Sequence, residues 1–123
     1  MSLRTEVQSE FNKAILRRDK TCQVGTGACS GQLSCSHFYG VGSTPNLRYH
    51  PDNCVAQCFA HHRAFEDGLD DSYNEYIDET QGHLYAMKNR ISKLTDGDLR
   101  EIKKLCKQDD LEAVKKIVEK SFC

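Results

Sequence analysis

Residues 35–68 read CSHFYGVGSTPNLRYHPDNCVAQCFAHHRAFEDG, and the fold turns on how this stretch is divided. Its front edge, LSCSHFY over 33–39, mixes apolar, aromatic and small polar residues and suits a short strand. Residues 40–52 carry two glycines and two prolines, which predict a turn-rich excursion. A second short strand is expected near Asn53–Val55. A helix is then expected over 55–67, bearing Cys58, His61, His62 and Glu66. The chain thus offers a strand, a long turn, a strand and a helix in immediate succession, with cysteines and histidines on each piece.

Outward from this core the pattern becomes helical. Val7, Phe11, Ala14 and Ile15 recur at spacings of three and four, predicting a helix over 3–19. Residues 20–32, rich in Gly, Cys, Ser and Thr, predict a loop that something else must hold. Beyond the core, helices are expected over about 71–80, from His83 to about Leu94, and from a cap at Thr95 or Asp96. Leu99, Ile102 and Leu105 mark the apolar side of that third helix, and Leu111, Val114, Ile117 and Val118 mark a last one. No repeat or low-complexity linker divides the chain. The expectation is one α+β domain over 1–123, with a core at 20–68, an N-terminal helix and a helical C-terminal extension at 83–123.

The 123 residues are 38% hydrophobic and 28% charged, too polar for a membrane protein and too apolar for a disordered one. No apolar run approaches the roughly 20 residues needed to cross a bilayer. The opening MSLRTEVQSEF lacks the apolar stretch of a secretory signal, so a cytoplasmic home is expected. Seven cysteines, an odd number lying among histidines, favour metal ligation over disulfides. Cys106 and Cys123 stand apart and are not expected to ligate. The net charge of -1 argues against a tight nonspecific nucleic-acid binder. The cations near the core are Arg17, Arg18, Lys20, Arg48 and Arg63, and acids dominate from Glu66 to Glu79.

Cys22, Cys29, Cys58 and His61 group as two pairs. Cys58 and His61 span one turn at the start of a helix, and Gly25 and Gly27 let the Cys22–Cys29 loop fold back. Thiolates and an imidazole in a tetrahedron suit structural Zn²⁺, which would staple a small core. The six residues between Cys22 and Cys29 exceed the usual two to four, and Cys35 or Cys54 is an alternative for one member. A second constellation joins His37 on the first strand, Asn53 before the helix, and His62 with Glu66 one turn later. Positions i and i+4 share a helix face, so His62 and Glu66 can take one divalent ion. His37, unliganded and near neutral pKa, is the candidate general base, and Asn53 the residue that holds the loop or orients it.

This stretch resembles the HNH (ββα-metal, or His-Me finger) endonucleases, closest to the phage NinG/Rap-like recombination nucleases. The resemblance covers about residues 20–82 and rests on SHF, LRYHPDNC, QC and HH. It implies a hairpin and helix gripping a catalytic metal, Mg²⁺ or another divalent ion, with a zinc knuckle bracing the hairpin. By it, His37 matches the general base, Asn53 the central asparagine, His62 the metal-binding histidine and Glu66 a further ligand. Cys58 and His61 match the second half of the knuckle, Cys22 its leading ligand, and Cys29 the partner. Arg48 matches a recurrent arginine; it is a phosphate donor or half of a structural ion pair, for instance with Asp52, and Arg63 is a second substrate contact. Ser36 stands where many members carry Asp or His.

The resemblance thus implies a metal-dependent endonuclease acting on DNA, including branched or recombination intermediates, in a phage or its bacterial host. The alternative is a noncatalytic zinc-stabilised module that binds nucleic acid or protein. A redox-sensing thiol protein is the third reading. The run LRRDK, Leu16–Lys20, is either a phosphate contact or a favourable helix C-terminus.

Overall fold

A computed structural model describes residues 2–122. Helix α1 spans Leu3–Asp19, and its N-cap Ser2 accepts a hydrogen bond from the Thr5 N–H. Strands β1 (Leu33–His37) and β2 (Cys54–Cys58) form one two-stranded antiparallel sheet. Helices α2 (Phe59–Glu66), α3 (Ser72–Thr80), α4 (His83–Met87), α5 (Asp96–Lys107) and α6 (Leu111–Lys120) follow. The molecule is therefore a small α+β fold, and no helix among the described residues is long and apolar enough to cross a membrane.

The hairpin register pairs Leu33 with Cys58, Cys35 with Ala56 and His37 with Cys54. Side chains alternate across a strand, so His37, Cys35 and Cys54 share one face while Ser34, Ser36, Val55 and Gln57 share the other. The first face looks onto α1. There Val7, Phe11, Ala14 and Ile15 pack with Cys54, with Leu99, Ile102 and Cys106 of α5, and with Val114 and Val118 of α6. The second face covers a smaller cluster of Val24, Leu47, Val55, Tyr73, Ile77 and Leu84. Each large side chain fully buried here contributes on the order of 1.5–3 kcal/mol. A chain this short needs both clusters.

Three details depart from the sequence pattern. β2 runs on to Cys58, so α2 begins at Phe59 rather than near 55. The cause is the strand's outer edge. The Ala56 N–H donates to the Asp19 carboxylate at 2.9 Å, and the Ala56 carbonyl accepts from the Gln23 N–H at 2.9 Å. These bonds hold the chain extended where periodicity alone favours a helix. α4 stops at Met87, short of the expected Leu94, because the following chain is drawn against the C-terminus: the Lys93 N–H donates to the Ser121 carbonyl, and Ser92 bridges Phe122. The arginines of LRRDK are fasteners. Arg17 bonds Asp109 and the Cys106 carbonyl, while Arg18 bonds Asp19 and the carbonyls of Pro51 and Cys54. Of the two expected caps, Thr95 and Asp96, it is Thr95 that caps α5, in a full capping box with Asp98. Cys106 is buried in the larger cluster, apart from the other thiols, and Cys123 lies outside the described residues.

His50 is fully buried, accepts the Asp52 N–H on Nδ1, and presents Nε2 to Glu119 at 3.2 Å. Burial lowers its pKa, and the Glu119 and Asp52 carboxylates only partly offset this. Below pH 6.5 the unfolded chain therefore binds a proton that the folded chain resists, so stability falls as the solution is acidified through that value. Thermal unfolding between pH 7.5 and 5.5 is expected to show a falling midpoint, and the slope should be shallower in His50→Gln. An unchanged slope in that variant would remove His50 from the account.

Candidate metal centre and hairpin site

The thiols of Cys22, Cys29 and Cys58 and a ring nitrogen of His61 all lie within 4.8 Å of one another. His61 Nδ1 stands 3.3 Å from Cys22 Sγ and 3.7 Å from Cys29 Sγ. A tetrahedral ion with Zn–S of about 2.3 Å and Zn–N of about 2.0 Å sets sulfur and nitrogen roughly 3.6 Å apart. The observed distances bracket that value. His61 Nε2 lies 3.0 Å from the Thr26 carbonyl; a carbonyl only accepts, so Nε2 carries the proton and Nδ1 keeps its lone pair for an ion. The donor set can hold a metal such as zinc, and Cys35 and Cys54 are not members of it.

Local chemistry prepares these thiols. Burial opposes ionisation of Cys58, but the N–H groups of His61 and Ser30 and the neighbouring thiols outweigh it and bring Cys58 down to about 7. Cys29 is pushed up to about 11, first by its hydrogen bond to Cys58. One thiolate thus forms readily, and the remaining protons leave as the ion binds. The loop reaches this position through Gly25, whose φ is +152° and whose missing Cβ would lie 2.2 Å from His61 Cγ. Asp70 ties the loop tip down: it accepts from the N–H and hydroxyl of Thr26 and from Ser72, and these bonds hold its carboxyl at about 2.

His37 ends β1, half-buried against the Phe11 ring at 6.0 Å. Its Nε2 lies 3.0 Å from the Arg48 carbonyl, so Nε2 carries the proton and Nδ1 the lone pair. Burial lowers its pKa below 6.5; the Arg48 carbonyl bond opposes this, while the Arg48 and His62 charges add to it. The ring is therefore neutral at pH 7. Asn53, wholly buried, clamps the excursion between the strands. Its Oδ1 accepts the Tyr39 N–H at 2.8 Å, and its Nδ2 donates to the carbonyls of Tyr39 and Leu47 at 3.0 and 3.2 Å.

His62 and Glu66 meet at 2.7 Å across one turn of α2, with His62 Nδ1 3.0 Å from Ser34 Oγ. Adjacent histidines thus serve different places, His61 the thiol group and His62 the strand and Glu66. His37 does not join His62 and Glu66 in one ligand cluster among the described residues; it groups instead with Cys35 and Cys54. Ser36 is wholly buried, and its hydroxyl finds no hydrogen-bond partner among the described residues. Arg48 donates Nε–H to Gln8 at 2.6 Å and lies 5.3 Å over the Tyr49 ring. The expected ion pair with Asp52 is not formed: Asp52 is taken by Lys115 and His83, both at 2.9 Å. Arg63 is exposed and paired with Asp67 at 3.1 Å. Sequence reasoning gave no place at the site to Gln8, Ser34 and Thr26, which carry no motif, and read Phe11 only as a core residue.

Neither a scan against protein-family models nor searches of curated proteins and of solved structures found a match for this chain.

Elemental analysis of purified protein is expected to give at least one zinc per chain. Cys58→Ala should weaken zinc retention by more than the roughly 10- to 100-fold that loss of an outer hydrogen-bond partner costs. Gly25→Ala should do the same without removing a donor, because its Cβ collides with the His61 ring. Full zinc retention in Gly25→Ala would contradict the packing described.

Proposed function

We propose that the chain is an HNH-type, metal-dependent DNA endonuclease built on a ββα-metal core, with Cys22, Cys29, Cys58 and His61 holding a structural zinc. One observation carries the reading: His37 is a neutral imidazole, locked by the Arg48 carbonyl, on a hairpin whose connecting loop Asn53 clamps from within. A general base needs a free lone pair and a fixed orientation, and a neutral imidazole held on one nitrogen offers both.

His37 Nδ1 takes the proton of the attacking water, and the Nε2–H bond to the Arg48 carbonyl steadies the imidazolium that results. Asn53 keeps that carbonyl in place by bonding Leu47, one residue before Arg48. His62 and Glu66 are the residues that would hold the divalent ion, Mg²⁺ or another, which supplies Lewis-acid stabilisation of the leaving oxygen. The terminal nitrogens of Arg48, whose Nε is anchored on Gln8, are the candidates for a substrate phosphate, with exposed Arg63 as a further cation. Branched DNA or recombination intermediates, in a phage or its bacterial host, are the proposed substrates, by resemblance.

A second reading, a noncatalytic zinc-stabilised binding module, draws on Ser36. Its buried hydroxyl offers no strand ligand where a carboxylate or imidazole would complete an ion's coordination.

A plasmid-nicking assay separates the two. Wild-type protein is expected to nick in Mg²⁺ or Mn²⁺ and to stop on chelation. His37→Ala should lose about 10²- to 10⁴-fold in rate while keeping its zinc and unfolding midpoint. Because His37 works as a free base with a lowered pKa, the rate should rise with pH below 6.5 and level off near neutrality. DNA binding without nicking, indifferent to His37→Ala, would establish the module instead.

A further inference from the structure

Beneath the hairpin, Cys35 Sγ, Cys54 Sγ and a ring nitrogen of His37 lie within 4.8 Å of one another. They come together by register. His37 pairs directly with Cys54, and Cys35 stands two residues before His37 on the same face. None of the three belongs to the Cys22 group, so the hairpin carries two separate thiol–imidazole sets. Both cysteines are free thiols.

We propose that Cys35, Cys54 and Nδ1 of His37 form a second site, selective for soft divalent ions of the Zn²⁺ and Cd²⁺ class, which silences the hairpin by occupying its base. The inference rests on the nuclease reading for its consequence, though not for the site itself. Two thiolates and an imidazole favour soft, tetrahedral ions over Mg²⁺, which prefers oxygen donors. The outer hydrogen bond is already present: a ligating histidine ordinarily donates its other N–H to a carbonyl or carboxylate, and His37 Nε2–H donates to the Arg48 carbonyl. His61 uses the same arrangement toward Thr26 in the first group.

Charge also balances. Binding releases both thiol protons to solvent, and two thiolates neutralise a divalent ion close to the Arg48 guanidinium. Cys54 is 1% exposed while Cys35 is half-buried, so the ion's approach is from the Cys35 side. The same lone pair cannot serve a soft ion and a water proton at once. Hard ions at His62 and Glu66 would then support cleavage, while a soft ion held by Cys35, Cys54 and His37 would stop it.

Equilibrium dialysis of the zinc-free, reduced chain against Cd²⁺, read by elemental analysis and by thiolate-to-cadmium absorbance, tests the site without any appeal to activity. Two ions per chain are expected in wild type. One is expected in Cys35→Ser, and one in Cys54→Ala as a check should either variant fold poorly. In the nicking assay with Mg²⁺, Cd²⁺ beyond the first equivalent should slow wild type at least about tenfold, within what loss of a base costs, and Cys35→Ser less than about twofold. A single bound ion in wild type would overturn the site. Two ions with undiminished nicking would overturn the silencing. Two ions on a chain that never nicks, Cd²⁺ or not, would uphold the site and sink the nuclease reading alone.

Discussion

The convergence of Cys22, Cys29, Cys58 and His61 is the constraint on which the rest of the molecule depends. The loop over residues 20–32 contains no regular element until β1 begins at Leu33, and most of it is exposed. Apart from Val24, which packs into the smaller cluster, apolar burial does not fix such a segment. Besides the bonds of Thr26 to Asp70 and of Gln23 to Ala56, what converges on it is a set of candidate metal donors at three points along the chain: the loop itself, the end of β2, and the first turn of α2. Cys58 is both the last residue of β2 and the N-cap of α2, so a ligand there sets the angle between strand and helix. That angle in turn decides where His62 and Glu66 stand relative to the hairpin.

A second, purely polar constraint governs the excursion between the strands. Asn53 satisfies backbone groups of Tyr39 and Leu47 in a place water does not reach. An aspartate could not donate to the two carbonyls, and an apolar residue would leave the Tyr39 N–H and carbonyl without this partner, at about 1–3 kcal/mol each, while the Leu47 carbonyl would keep only the His50 N–H. The excursion and the strands that flank it are held from outside as well. Tyr73 donates its hydroxyl to the Ser36 carbonyl at 2.8 Å, and Arg18 reaches the carbonyls of Pro51 and Cys54. The Arg48 carbonyl that fixes the His37 tautomer is therefore part of a rigid frame rather than a free loop.

The elements that periodicity and capping dictate were legible in the residues alone. The Val7–Ile15 stripe, the Thr95 capping box and the last amphipathic helix fall where spacing predicts. The candidate metal donors were legible as residue types, and the long Cys22–Cys29 interval still brings both thiols to His61, with Gly25 lying against its ring. What the residues concealed were decisions made by distant partners. β2 continues to Cys58 because Asp19 and Gln23 hydrogen-bond its edge, and α4 ends early because Ser121 pairs with Lys93. The face His37 takes is a matter of register, which no local pattern reports. Ser34, a plain hydroxyl in the sequence, turns out to be the group that His62 meets.

Charge bears on what the molecule can touch. The net charge of -1 is small, and several of the cations near the hairpin are consumed internally. Arg17, Arg18, Arg63 and Lys115 each face a carboxylate, so they are partly neutralised before any ligand arrives. Electrostatic attraction to a polyanion summed over the whole surface is therefore weak, and its reach is further cut to about 8 Å at physiological salt. Arg48 differs: it is half-buried, anchored on the neutral Gln8 amide, and forms no ion pair among the described residues. On the nuclease reading, affinity must come from such local contacts with a shaped substrate rather than from a basic surface. A binder of that kind discriminates by geometry more than by charge.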